Sequence, residues 1–208
     1  MLRKNSPRFA SRLLVLSLAV LGVGACVQGP TTPDGSTHLT TDGTSCPVAA
    51  DIGLPALSDE EIAQVLITVN LGEIQQGEFA ERQAMDSEVR RFAEQLVLEH
   101  TAANQELQVR LHALGVTPRE SPLSQQLAAE SNQILAILRS TVGMEAFDRA
   151  YVDVQVALHA NTLFLMDSVL QPQIDRAELR DFALVTRDTV QRHLDTAVPI
   201  RKGLSPSP

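Results

Sequence analysis

Four polar side chains fall on apolar helical seams, one per long amphipathic segment: Glu73, His100, His159 and His193. Three of them are histidines, in a chain of 208 residues with only five. A bundle seam ordinarily carries Leu or Ala, and a polar group buried there is costly unless it is hydrogen-bonded or binds a metal. Imidazole and carboxylate suit zinc, iron, manganese or copper, and bundle cores are familiar places for such sites. The four residues are therefore candidate ligands for one divalent transition metal. The competing reading gives each histidine an ordinary buried hydrogen bond, such as Glu73 with His100.

The segments that carry them show helical periodicity. Ser58-Asp59-Glu60-Glu61 reads as a capping box, followed by a seam of Ile62, Leu66, Val69, Glu73, Gly77 and Ala80. Asp86 or Ser87 caps a second helix that runs to Leu114 and stops at Gly115, with Val89, Phe92, Leu96, His100, Ala103, Leu107 and Leu111 in register. A shorter helix is predicted over Leu123 to Ser140. A fourth follows from Met144 to Leu170, closed by Pro172, and a last one from Ala177 to Pro199. Spacings of three and four throughout, with no alternating β pattern, predict an all-α fold. Short connections favour antiparallel neighbours and make it a four-helix bundle with one additional shorter helix.

Hairpin register decides whether the four residues meet. Glu73 lies 13 residues before Asp86 and His100 lies 14 after it, so in an antiparallel pair they differ by only about 1.5 Å in height. His159 is 13 residues before Pro172 and His193 is 17 after Arg176, a difference of about 6 Å or one turn. A common mid-bundle layer is the expectation. A dinuclear iron centre is not, because that needs Glu-x-x-His on two helices and the domain has none. Glu99 precedes His100 directly, about 100° away around the helix, and is not expected to share its seam.

Other chemistries lack their residues. There is no nucleophile elbow or triad spacing and no glycine-rich phosphate loop. Tyr151 is the only tyrosine and tryptophan is absent, which leaves little for stacking on bases. Phe147, Asp148 and Tyr151 open a helix together and read as structural.

The N-terminus sets the expected compartment. Arg3, Lys4, Arg8 and Arg12 precede an apolar run from Leu13 to Val23, too short for a stable membrane span and suited to a secretory signal. Val23-Gly24-Ala25-Cys26 resembles a bacterial lipobox, with Cys26 the lipid-modified first residue of the mature chain. By the same resemblance, Val27 in place of Asp favours the outer membrane, facing the periplasm. Losing residues 1–25 removes four basic and no acidic residues. That leaves 13 Lys+Arg against 25 Asp+Glu, a net charge of −12, which argues against nucleic acid as a partner. Residues 26–57, rich in Thr, Pro, Gly, Ser and Asp, read as a flexible tether. The bundle is expected over residues 58–202 and a disordered tail over 203–208. Cys46, left without an intrachain partner, reads as incidental.

Several segments, in order, carry a family resemblance: "NLGEIQQGEFA" (Asn70 to Ala80), "VRRFAEQLVLEHTAANQEL" (Val89 to Leu107), "FDRAYVDVQVALH" (Phe147 to His159) and "QRHL" (Gln191 to Leu194). Together, over about Leu57 to Val198, the chain resembles the bacterial domain-of-unknown-function family numbered 4142. Members of that family are often exported and are assigned a ferritin-like bundle. Glu99 stands where the family more often has Asp. The resemblance implies fold and envelope location but no reaction. The leading expectation is a non-catalytic envelope lipoprotein whose membrane partner is lipid through Cys26. The alternative is a redox or metal-storage protein with a mononuclear Glu/His site.

Overall fold

The computed structural model describes residues 56–204, and among these the fold is all-α with no strand. The chain order is α1 (Asp59–Gln83), α2 (Ser87–Leu114), α3 (Pro122–Ser140), α4 (Met144–Leu165) and α5 (Ala177–Gly203). A π-helical turn (Met166–Leu170) and a 3-10 turn (Gln171–Gln173) follow α4. The four long helices and the shorter α3 are consistent with a ferritin-like bundle. The expected signal sequence, Cys26, Cys46 and the expected tether up to residue 55 lie outside the described residues, while Leu57, at the end of that segment, is buried against the core and its amide donates to Gln173 Oε1 at 2.9 Å. No described helix is long and apolar enough to cross a membrane.

Local chemistry sets the helix ends. The Glu61 amide donates to Ser58 Oγ (3.4 Å) and the Ser58 amide to Glu61 Oε2 (3.0 Å), which completes the expected capping box. Asp86 caps α2, accepting from the amides of Glu88 (2.7 Å) and Val89 (3.2 Å). Gly115, at φ 64°, ends α2 in the left-handed region that favours glycine. Helix α3 begins one residue earlier than expected, with Pro122 in its first turn after the Ser121 cap, where a missing N–H costs nothing.

Two helix ends differ from the sequence expectation. The fourth helix does not run as one α-helix to Leu170. It widens into the π turn at Met166, where the Gln171 N–H reaches back five residues to the Met166 carbonyl. Pro172, with no N–H and a ring that collides with the turn before it, is the physical reason for the altered winding. The last helix passes through Pro199 and continues to Gly203. One backbone hydrogen bond is lost there, while the extra turn lets the Arg201 guanidinium bond to Asp153 on α4.

Helices α1 and α2 form one hairpin and α4 and α5 another, with α3 packed on α1. Each hairpin is latched by a buried aspartate from the other. Asp148 on α4 accepts from the amides of Met85 (3.1 Å) and Asp86 (2.8 Å) in the α1–α2 turn. Asp59 on α1 accepts from Asp175 and Arg176 (both 3.0 Å) in the α4–α5 turn. The halves match further: the Arg90 side chain bonds the Ala84 carbonyl, and Arg180 bonds that of Ile174. Phe92 and Phe182 are buried two residues after these arginines. The main apolar core includes Ile62, Leu66, Leu107, Leu111, Leu163, Met166, Leu170 and Leu179. Each fully buried side chain of this kind contributes about 1.5–3 kcal/mol. The middle of the bundle is left to polar residues.

Candidate metal centre

His100 from α2, His159 from α4 and His193 from α5 converge in that middle layer. Each is at most 3% exposed, and each offers a ring nitrogen within 4.8 Å of the other two. The ring centroids are 5.2–6.0 Å apart. The second hairpin is in closer register than sequence spacing suggested. Its turn runs only from Gln173 to Ala177, and His159 Nε2 lies 3.3 Å from His193 Nδ1.

The outward nitrogen of every ring has an acceptor. His159 Nδ1 is 2.9 Å from the Gln155 carbonyl, so it carries the proton and donates. His193 Nε2 is 3.0 Å from Glu99 Oε2 and donates likewise. His100 Nδ1 donates to Asn70 Oδ1 at 2.9 Å, while the Asn70 amide is itself oriented by Asn104 Oδ1 at 2.9 Å. With those protons placed, His100 Nε2, His159 Nε2 and His193 Nδ1 are left as lone pairs. His100 Nε2 is buried and has no hydrogen-bond partner. The other two lone pairs face each other at 3.3 Å, which is repulsive unless a cation lies between them. A tetrahedral ion with bonds of about 2.0–2.1 Å spaces its nitrogens by about 3.3 Å. Ring nitrogens pinned by carbonyl, carboxylate and amide oxygens are the outer arrangement that fixes tautomers around a bound metal. The donor set fits a divalent transition ion.

Electrostatics keep the rings in the ligating form. Burial holds His100 well below its ordinary range, and His159 and His193 add to this. Burial, then His193, pushes His159 down to about 3 against the Gln155 carbonyl. Burial also lowers His193, outweighing the Glu99 carboxylate. All three imidazoles are therefore neutral at neutral pH, as a metal ligand must be. Partial burial works against the Glu99 carboxylate, but bonds from Gln95 and His193 and the nearby Arg192 guanidinium keep its pKa lowered.

Glu73 stands apart from this trio. It is buried but is not among the groups whose ligand atoms come within 4.8 Å of one another. The expected equal height with His100 fails because α1 stops at Gln83 and α2 starts at Ser87, which centres the hairpin on Met85. Glu73 is then about three residues, or 4.5 Å, out of register with His100, and Asn70 takes the opposing place. Burial pushes the Glu73 carboxyl up to about 8, partly offset by a hydrogen bond from the Gln155 side chain. Its Oε2 has no partner, and the same holds for Tyr151 Oη and Gln155 Oε1 nearby on α4.

Sequence reasoning missed Asn70, Asn104, Gln155 and Glu99. Glu99, one residue before His100, points about 100° away from the His100 seam. It approaches from the flank of α2 instead and grips His193 on α5. An acidic residue beside a seam histidine was the available signal.

A bundle of this kind with a buried trio of neutral imidazoles defines a helical protein with a candidate mononuclear metal site. Residues 44–200 match the family described as Domain of unknown function (DUF4142), and the chain belongs to it. Comparison with the curated proteins and with the solved structures gives no match.

Proposed function

We propose that this protein binds one divalent transition metal through His100, His159 and His193, as an exported protein anchored to the bacterial envelope by lipid on Cys26. The observation that carries the metal reading is the pair of imidazole lone pairs facing each other at 3.3 Å, beside the unpartnered His100 Nε2. Three imidazoles without thiolate suit zinc, copper, nickel or iron. Glu99 balances part of the charge from outside the ligand set. Glu73 is the proposed fourth donor: its side chain leans toward the N-terminus of α1 and so toward the histidine layer, and ionising it would offset the second positive charge. With Glu73 as the fourth donor the ion would be held by four residues, the closed arrangement of a binding site rather than one with an open catalytic position. One ion per chain fits a binding or redox role better than bulk storage.

The export reading rests on the ordered basic, apolar and lipobox segments, with the outer membrane favoured by Val27. Mass spectrometry of the mature N-terminus is expected to find a lipidated Cys26, and an unmodified peptide starting elsewhere would reject it. Elemental analysis of untagged protein tests the metal. One zinc, copper, nickel or iron per chain is expected, and none bound after loading would reject the site.

A further inference from the structure

The three histidines are nearly sealed from solvent, yet a line of polar side chains leads away from them. The Gln155 carbonyl accepts from His159 Nδ1 at 2.9 Å. The Gln155 side-chain amide donates to Gln76 Oε1 at 3.3 Å. Gln76 Nε2 in turn donates to Ser131 Oγ on α3 at 3.3 Å. Ser131 lines a cleft of about 510 Å³ between α1 and α3, walled also by Gln64, Thr68, Gln75, Glu120 and Asn132. Gln76 and Gln155 are 2% and 0% exposed, an expensive place for two primary amides if they serve only packing. Glu73 Oε2, Gln155 Oε1 and Tyr151 Oη, all buried and unpartnered, are oxygen donors on the α1 and α4 segments that carry this line. Gly72 holds the outer end together. A Cβ there would come within 2.5 Å of Ser131 Oγ and 3.1 Å of Ser131 Cβ, so a larger residue would have to turn the Ser131 hydroxyl away from its place or push α3 back from α1.

We infer that the α1–α3 cleft and the seam of Ser131, Gln76 and Gln155 are the passage by which a divalent cation reaches the histidines. This rests on the metal reading above. Uncharged oxygens exchange for the ion's hydration water without trapping it, and the imidazoles then take it as the better donors for a transition metal.

The test separates rate from affinity in the full chain, using Co²⁺ as the probe. Loading is followed by stopped-flow absorption and release by transfer to excess EDTA. Gln76→Leu replaces the central amide with an apolar group. A higher barrier on one route must slow loading and release by the same factor, so each is expected to fall about tenfold or more while the dissociation constant is unchanged. Circular dichroism checks the fold, and Ser131→Val, at the mouth of the seam, gives a second reading should Gln76→Leu not fold. Wild-type rates in the folded variant would overturn the passage and leave the metal site standing. Faster release with unchanged loading would overturn it too, since that marks damage to the site. No Co²⁺ bound by the wild-type chain would remove both proposals.

Discussion

Replacing Glu73 with Gln should stabilise the metal-free protein, increasingly so as pH rises. The Glu73 carboxyl is pushed by burial from its ordinary 4.5 to about 8. Below pH 4.5 it is protonated in both folded and unfolded chains and has no pH effect. Above 4.5 the unfolded chain releases the proton and the folded chain keeps it, so stability falls with rising pH until about 8 and then levels. Over about 3.5 pH units, at 1.36 kcal/mol each, the ceiling is about 5 kcal/mol. The glutamine of the variant would keep an oxygen to accept from Gln155 and would lose the titration. The assay is urea unfolding of wild type and Glu73→Gln in the presence of chelator, from about pH 4.5 to about 8.5, a range that brackets both ends of the expected titration. The difference in unfolding free energy should grow steadily in favour of the variant across that window. A difference that stays flat would mean Glu73 is ionised in the native protein at neutral pH, and would refute the reasoning.

Three further outcomes follow. The histidines give the opposite pH response: His159 titrates near 3 when folded against 6.5 when unfolded, so stability present above 6.5 is lost as pH falls toward 3, by about 1.4 kcal/mol per unit. His100 and His193 are displaced in the same direction and steepen the loss, which thermal unfolding of chelated protein between about pH 7 and about pH 4 should show. His100→Leu leaves Asn70 Oδ1 without its imidazole donor and should cost about 1–3 kcal/mol in chelated protein, measured by urea unfolding; it should also abolish metal uptake. Glu99→Gln keeps an acceptor for His193 but removes the charge, and competition titration should show metal affinity weakened by about 10–100-fold.

The fold was largely legible because caps and seams are local. The Ser58 box, the Gly115 stop and the three- and four-residue spacings each report on their own segment, and the helices lie where those signals put them. The ends that differed depended on neighbours: α5 continues through Pro199, where Arg201 meets Asp153 across the hairpin. The histidines were legible as polar residues on apolar seams. Their partners were less so, because a height argument depends on where a hairpin is centred. A shift of one residue in that centre moved Glu73 out of line with His100 and put Asn70 there. Glu99 shows a second limit, since a residue off the seam still reaches the core when a third helix packs beside it. The reciprocal latches of Asp59 and Asp148 join residues more than sixty positions apart, and nothing in either local sequence announces them.

The central claim is that three imidazoles hold one metal. X-ray absorption on untagged protein loaded with one equivalent of Zn²⁺ tests it most directly. The account predicts a four-coordinate ion with three histidine nitrogens at about 2.0–2.1 Å, lost in His159→Leu. An ion ligated mainly by oxygen, or a histidine signal that survives His159→Leu, would contradict it.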